Sequence, residues 1–342
     1  MSNSSTSSSP YPTATDFFAA LPGTEVPVGG IAKGLSKMWT DTGEPGEATF
    51  GPDDAKATQV NFVLHLGMNT TSEDARAQFQ TAVRFSQRYP SRVVILCPQR
   101  GRDGPNELKA KVYGECFLGK SKADKRCVEF VMLSYPRDAR EHLENQVSIC
   151  LSTDLPLYYW VHGFTSLARV GDYRYLTTRA NRIIIDSADA PNDAGTFVWP
   201  RPEAVRDLVH ARLLPVRQSL GQFLSRYPEA ALVSGLRTVA LTHRPTLAAE
   251  GRVLLGWLRE RLVRCGATDR VNFTVSPLPA AITGSFSLSF GYETDSKFFR
   301  WTGDLAKRHA LFEADFGTGR TTLPAPVSLL PPENALSEAM FF

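Results

Sequence analysis

A chain of 342 residues is long enough for two hydrophobic cores. With 42% apolar and 21% charged residues it has an ordinary globular balance, which excludes a largely disordered or fibrous chain. Its 38 basic and 35 acidic residues leave a net charge of only +3, too weak a field to draw in nucleic acid or acidic lipid, so neither is expected as a partner.

The serine-rich start has neither a basic n-region nor an apolar h-region, so residues 1–15 read as a disordered tail and not as a secretory signal. Val28 to Trp39 has Ile31, Leu35 and Met38 at helical spacing. A polar linker follows from about Thr40 to Ala57, then a strand from Gln59 to Leu66 and a helix from Thr70 to Arg88. Thr70 with Glu73 fits a capping box at the start of that helix, and Pro90 ends it. Arg92 to Cys97 is a β-branched strand. Leu108 to Leu118 and Arg126 to Tyr135 pattern as a hairpin around the basic loop Gly119 to Lys125. Such a hairpin sets Cys116 opposite Cys127, a candidate redox pair.

A helix over Asp138 to Leu151 leads to the apolar strand Leu157 to Val161, a helix near Thr165 to Arg179 and a strand from Arg182 to Asp186. Asp154, ahead of Pro156, has the position of a turn-fixing carboxylate, and Asp186 with Ser187 can cap backbone donors where the chain leaves the sheet. The second half offers helices at Glu203 to Arg212 and Val216 to Arg226, a strand at Leu236 to His243 and a long helix from Leu247 to Cys265. Four strands follow, near Val271 to Ser276, Ser285 to Tyr292, Lys297 to Trp301 and His309 to Phe316.

Strands alternating with helices give a mixed α/β (α+β) class, with two mixed-sheet domains covered by helices. The boundaries expected are 16–195 for the N-terminal domain, 196–322 for the C-terminal domain and 323–342 for a Pro-rich tail. Because strand, helix, strand and hairpin recur in that order in both halves, a diverged duplication is one account of the architecture.

No glycine-rich turn joins a predicted strand to a helix, as a nucleotide-phosphate site requires. There is no G-x-S-x-G elbow, and the six histidines stand apart from one another and from any zinc-type Cys/His set. No catalytic residue, metal or cofactor is therefore assigned. Five scattered cysteines point to a reducing compartment, and no apolar run reaches the roughly 18 residues of a membrane span, so the expected location is the cytoplasm.

Several phrases carry a family resemblance. They are Gly23-Thr24-Glu25-Val26-Pro27-Val28-Gly29, Lys37-Met38-Trp39, Ala57-Thr58-Gln59-Val60-Asn61, Arg88-Tyr89-Pro90-Ser91-Arg92-Val93-Val94, and Asp154-Leu155-Pro156-Leu157-Tyr158-Tyr159-Trp160 with Arg182-Ile183-Ile184-Ile185-Asp186-Ser187. Further on come Arg212-Leu213-Leu214-Pro215-Val216-Arg217 and Leu254-Leu255-Gly256-Trp257-Leu258. In order and spacing these resemble the OpcA-type glucose-6-phosphate dehydrogenase assembly proteins, with departures at Val161, where the family often has tryptophan, and Val216, where it commonly has an aromatic. The resemblance implies a non-catalytic allosteric activator that binds glucose-6-phosphate dehydrogenase and promotes its active oligomer, in support of the oxidative pentose phosphate pathway. It implies no cofactor.

Interfaces favour Trp, Tyr and Arg at their centres, which makes Trp39, Tyr158, Tyr159, Arg212 and Arg217 the contact candidates. Trp160 and Trp257 are assigned to the core. The alternative reading is a sugar-phosphate or nucleotide-sugar enzyme on an α/β scaffold.

Overall fold

The structure is a computed structural model that describes residues 17–41, 58–99, 107–118, 125–279 and 284–342. The expected tail at 1–15, most of the linker before Ala57, the basic loop at 119–124 and the side chain of Trp39 lie outside the described residues. The chain divides into two compact units, residues 1–185 with 189–205, and residues 186–188 with 206–342.

The first unit runs α1 (Phe17–Ala20), β1 (Thr24–Val26), α2 (Ile31–Asp41), β2 (Val60–Leu66), α3 (Ser72–Arg88), β3 (Ser91–Pro98), β4 (Lys109–Leu118), β5 (Lys125–Tyr135), α4 (Arg140–Cys150), β6 (Leu157–His162), α5 (Arg174–Arg179) and β7 (Arg182–Ile185), and its last residue, Val205, opens β8 (Val205–Asp207). Among the described residues these strands make one sheet in the order β1-β4-β5-β3-β2-β6-β7-β8. From β5 to β7 the neighbours are all parallel, and β4 and β1 add antiparallel strands at one edge. Every residue of β2 and of β6 is buried, as expected of central parallel strands covered on both faces. Val63, Val94, Val131, Tyr159 and Val161 face α4 through Leu143 and Val147. On the opposite face Phe62 stacks on Trp160 and meets Phe85 of α3, while Phe79 of α3 packs against Phe130 at 4.9 Å.

The five parallel strands β5-β3-β2-β6-β7 follow a doubly wound path. The chain moves outward from β2 through β3 to β5, then returns to lay β6 against the other side of β2. Strand order therefore reverses between β2 and β6, and a crevice opens at their carboxyl ends.

The second unit continues with α6 (Leu208–Arg212), α7 (Leu214–Leu224), α8 (Glu229–Val233), β9 (Leu236–His243), α9 (Ala248–Arg264), β10 (Asn272–Pro277), β11 (Phe286–Tyr292), β12 (Phe298–Asp304), β13 (His309–Asp315), β14 (Thr321–Pro326) and α10 (Pro332–Phe341). Its sheet runs β10-β9-β11-β12-β13-β14, parallel only between β10 and β9. Strict alternation of buried and accessible residues along β12 and β13 marks one covered face. Phe299, Trp301 and Phe312 lie there with Leu254, Leu258 and Leu262 of α9, and Phe223 of α7 stacks on Phe312 at 4.5 Å.

Four expectations are corrected. Residues 323–342 are no tail: β14 pairs with β13, and α10 buries Ala335, Leu336, Ala339 and Met340 against this unit. Pro324 and Pro326 disguise the strand, yet they are tolerated because β14 is an edge strand, with no outer partner among the described residues for the missing N–H. The shared element order of the two halves also does not extend to topology. The β4–β5 hairpin is added beside β3, the second strand of its β-α-β unit, whereas β11 is added beside β9, the first. Thr71, and not Thr70, caps α3 by accepting from the Asp74 amide at 3.1 Å. Finally, the helix expected over 165–179 breaks into a 3-10 turn at Leu167–Asp172 and α5, with Tyr173 outside helical geometry between them.

Candidate functional site

The crevice between β2 and β6 is where an open α/β sheet ordinarily binds its ligand. Here its inner wall is closed by the chain. A Cβ on Gly67 would lie 2.4 Å from the Gly163 carbonyl oxygen, and Gly163 has φ +64 against Thr70. The two strand ends thus touch backbone to backbone, and only glycine fits at either position. The following helix α3 opens with Glu73 and Asp74. Those carboxylates occupy the positive end of the helix dipole, where a dinucleotide would need its phosphates. Asp74 also accepts from His162 Nε2 at 2.6 Å and from Gln78 at 2.9 Å. Burial raises its pKa, but these bonds and the His162 charge outweigh that and leave it below the usual carboxylate value.

Beneath the crevice lies a buried aromatic and hydroxyl cluster. His65, on β2, places Nδ1 2.7 Å from the Tyr159 hydroxyl and Nε2 2.7 Å from the Tyr135 hydroxyl, and Tyr135 is 2.6 Å from the Tyr173 hydroxyl. The Phe164 and Tyr173 rings meet the imidazole edge-on at 4.9 and 4.4 Å. Burial depresses the His65 pKa to about 3, so the ring is neutral, and it raises those of Tyr135 and Tyr159 well above the ordinary phenol value. The imidazole and the phenols of this cluster are therefore uncharged near neutrality. They can hold a hydrogen-bonding group in place.

Above this cluster a cavity of about 170 Å³ is lined by Met68, Pro98, Phe164, Arg140, Arg169 and Tyr173, with Asp172 paired to Arg140. A groove of about 360 Å³ shares Arg140, Asp172 and Tyr173 with it. None of these lining residues was singled out from the sequence. The legible signal was weak: His65 is the one polar side chain inside an apolar strand apart from Asn61.

The residues chosen from the sequence do not converge on one surface. Tyr159 is fully buried and Tyr158 is 8% exposed, so both are core side chains of the described residues. Period-two alternation hides this, because β6 is covered on both faces. Trp160 is buried against Phe62, and Trp257 packs on the edge of the second core. Asp154 is exposed, and its one hydrogen-bond contact among the described residues is the neighbouring Thr153 hydroxyl, at 3.4 Å. The turn into β6 is instead held by Asn61, which donates to the Ser152 and Leu155 carbonyls at 2.6 and 3.2 Å and accepts from the Ser152 amide at 2.9 Å. The Pro156 carbonyl takes the Asn61 amide at 3.0 Å.

Asp186 accepts from the Ala188 amide at 2.9 Å and takes a two-pronged ion pair from Arg212, whose Nε also bonds Glu250 at 2.8 Å. Ser187 bonds the Asp207 carboxylate through both its amide and its hydroxyl. Arg212 is therefore a structural cross-link of the second unit. Arg217 remains half-buried, with Nη2 donating to the His210 carbonyl at 3.2 Å and its Nε without a hydrogen-bond partner among the described residues. Cys116 and Cys127 are directly opposed on β4 and β5 and joined as a disulfide, while Cys97, Cys150 and Cys265 are free. Among the described residues no group of three or more His, Cys, Asp or Glu side chains could hold a metal ion, and no helix is long and apolar enough to cross a membrane.

Residues 82–198 match the family described as the glucose-6-phosphate dehydrogenase subunit N-terminal domain, of the OpcA glucose-6-phosphate dehydrogenase assembly type. The resemblance read from the sequence is thus borne out over the segment that holds the phrases at Arg88–Val94, Asp154–Trp160 and Arg182–Ser187. No curated protein matches the chain. Among solved structures it is similar to a 3-ketoreductase from Actinomadura kijaniata in complex with TDP-benzene and NADP, at 7% identity and a TM-score of 0.42 over 82% of this chain and 88% of that one. It is also similar to glucose-6-phosphate 1-dehydrogenase from Mycobacterium avium, at 8% identity and a TM-score of 0.40 over 82% and 86%. Likeness at this level carries no argument about activity.

Proposed function

We propose that this protein is a non-catalytic assembly factor that binds glucose-6-phosphate dehydrogenase, promotes its active oligomer and acts as its allosteric activator in the cytoplasm, supporting the oxidative pentose phosphate pathway. The observation that carries the reading is the family match over residues 82–198, flanked on both sides by ordered phrases of the same resemblance. A partner of this kind needs no reactive group, since preferential binding to the dehydrogenase's active form shifts its population. The acidic start of α3 and the Gly67–Gly163 contact count against the competing reading of a nucleotide-using enzyme, because they fill and charge the place where phosphates would dock.

The test is dehydrogenase activity across substrate concentrations, using the enzyme from the same organism, with and without the full chain. Expected are a lower apparent substrate requirement and a heavier species on size exclusion. Unchanged rate, affinity and oligomer size would overturn the proposal. Of the five contact candidates, Arg217 is retained for the interface, because its guanidinium is only partly satisfied among the described residues. Arg217→Ala should weaken activation while leaving the melting temperature nearly unchanged; a large fall in melting temperature would make it a structural residue.

A further inference from the structure

Of the four sheet edges among the described residues, three are blunted. β1 and β8, at the two ends of the first sheet, have three residues each, and β14 carries Pro324 and Pro326. Short strands and prolines are usual means by which a protein keeps a sheet edge from pairing with another chain. β10 has neither safeguard along its length. It has six residues, Asn272 to Pro277, with no charged side chain and its one proline at the last position. It lies parallel to β9, and among the described residues Asn272 to Pro277 make no hydrogen bond beyond the β9 ladder. A row of backbone donors and acceptors therefore points outward along this edge.

The side chains decide which strand fits there. Phe273 and Val275 turn toward the core and are half-buried, while Asn272, Thr274 and Ser276 are exposed on the outer face. Opposite residues of an antiparallel pair point to the same side of the sheet, so a second β10 keeps apolar side chains together only in registers that oppose inner residues to inner residues. Pairing about a two-fold axis at Thr274 does so: Thr274 meets its own copy, Phe273 meets Val275, and Asn272 meets Ser276. An aromatic against a β-branched residue and threonine against threonine are pairs that stabilise antiparallel strands, and no like charges are opposed. α9 runs beside the same edge. Arg259 lies over the Phe273 ring at 5.7 Å, and Val263, one turn further along that flank, is 49% exposed.

We propose that β10 is a self-association edge, at which a second copy of this chain adds its own β10 antiparallel about a two-fold axis at Thr274 and joins the two six-stranded sheets into one. A six-residue strand is about 20 Å long, so strand and helix flank together fall short of the roughly 1,600 Å² of a standard interface, and the dimer should depend on concentration. Self-association of the chain alone is a property separate from its action on the dehydrogenase, so either can fail without the other.

The experiment is sedimentation equilibrium of the full chain, without dehydrogenase, from about 1 to about 100 μM, the range of weak association. A monomer–dimer equilibrium is expected, with amide exchange over residues 272–277 slowing as concentration rises. Thr274→Lys and Thr274→Glu each set like charges face to face at the axis and should weaken dimerisation about tenfold, whereas an equimolar mixture of the two should dimerise at least as well as the unaltered chain. Recovery in the mixture requires both variants to be folded, so it separates repulsion at the axis from damage to the strand. A monomer at every concentration, a dimer that both single variants leave intact, or a mixture no stronger than either variant alone would overturn the proposal. So would slowed exchange at 272–277 that arises only when the dehydrogenase is added, which would give this edge to the dehydrogenase.

Discussion

Acidification from pH 7 to pH 5 should destabilise the first unit through His65. This imidazole is fully buried, and burial lowers its pKa from 6.5 to about 3. Between those values the unfolded chain binds a proton that the native chain does not, so stability is fully present above pH 6.5 and is lost as pH falls toward 3. At pH 5 the gap is one and a half pH units at 1.36 kcal/mol each, or about 2 kcal/mol. With a urea slope of roughly 2 kcal/mol/M for a unit of this size, the midpoint should fall by about 1 M. The assay is urea unfolding at pH 7, 6 and 5, read by hydrogen exchange on peptides from β2 and β6. His65→Gln, which keeps one donor and one acceptor but cannot titrate, corrects for every other ionising group. The stability difference between the two chains should shrink by about 2 kcal/mol from pH 7 to pH 5. Parallel pH profiles, or a His65 ring that titrates near 6.5 in the native protein by NMR, would refute the reasoning.

Asn61→Ala removes three hydrogen bonds at the turn before β6 and should cost about 2–4 kcal/mol in the same urea assay, whereas Asp154→Ala should cost almost nothing. Ending the chain at Pro331 deletes α10 with buried Leu336 and Met340, each side chain being worth about 1.5–3 kcal/mol of burial. Limited proteolysis should then show a labile second unit, and a protease-resistant product would contradict the packing. Reducing the Cys116–Cys127 bond opens a short loop and should lower hairpin stability by about 3 kcal/mol at most on the chain-entropy account. Alkylation of the unreduced, denatured chain should label Cys97, Cys150 and Cys265, and the other two only after reduction.

Much of this protein is legible in local pattern. The strands from Val60 to Leu66 and Leu236 to His243, the helices α3 and α9, and the register that opposes Cys116 to Cys127 all follow from periodicity, capping and turn residues, because those signals act over a few neighbouring positions. The family resemblance belongs to the same class, since it rests on contiguous phrases. Burial is another matter. Tyr158 and Tyr159 have the composition of an interface, and only the sheet order, which sets β6 beside β2 under helices on both faces, places them in the core. β14 and α10 are concealed by prolines whose tolerance depends on an edge position that no local pattern encodes. Asn61 reaches Ser152 across 91 residues, and the cavity gathers His65, Arg140, Arg169 and Tyr173 from three separate segments. Contacts between distant segments arise from topology and two-sided packing, and for that reason the cavity became visible only in the folded chain.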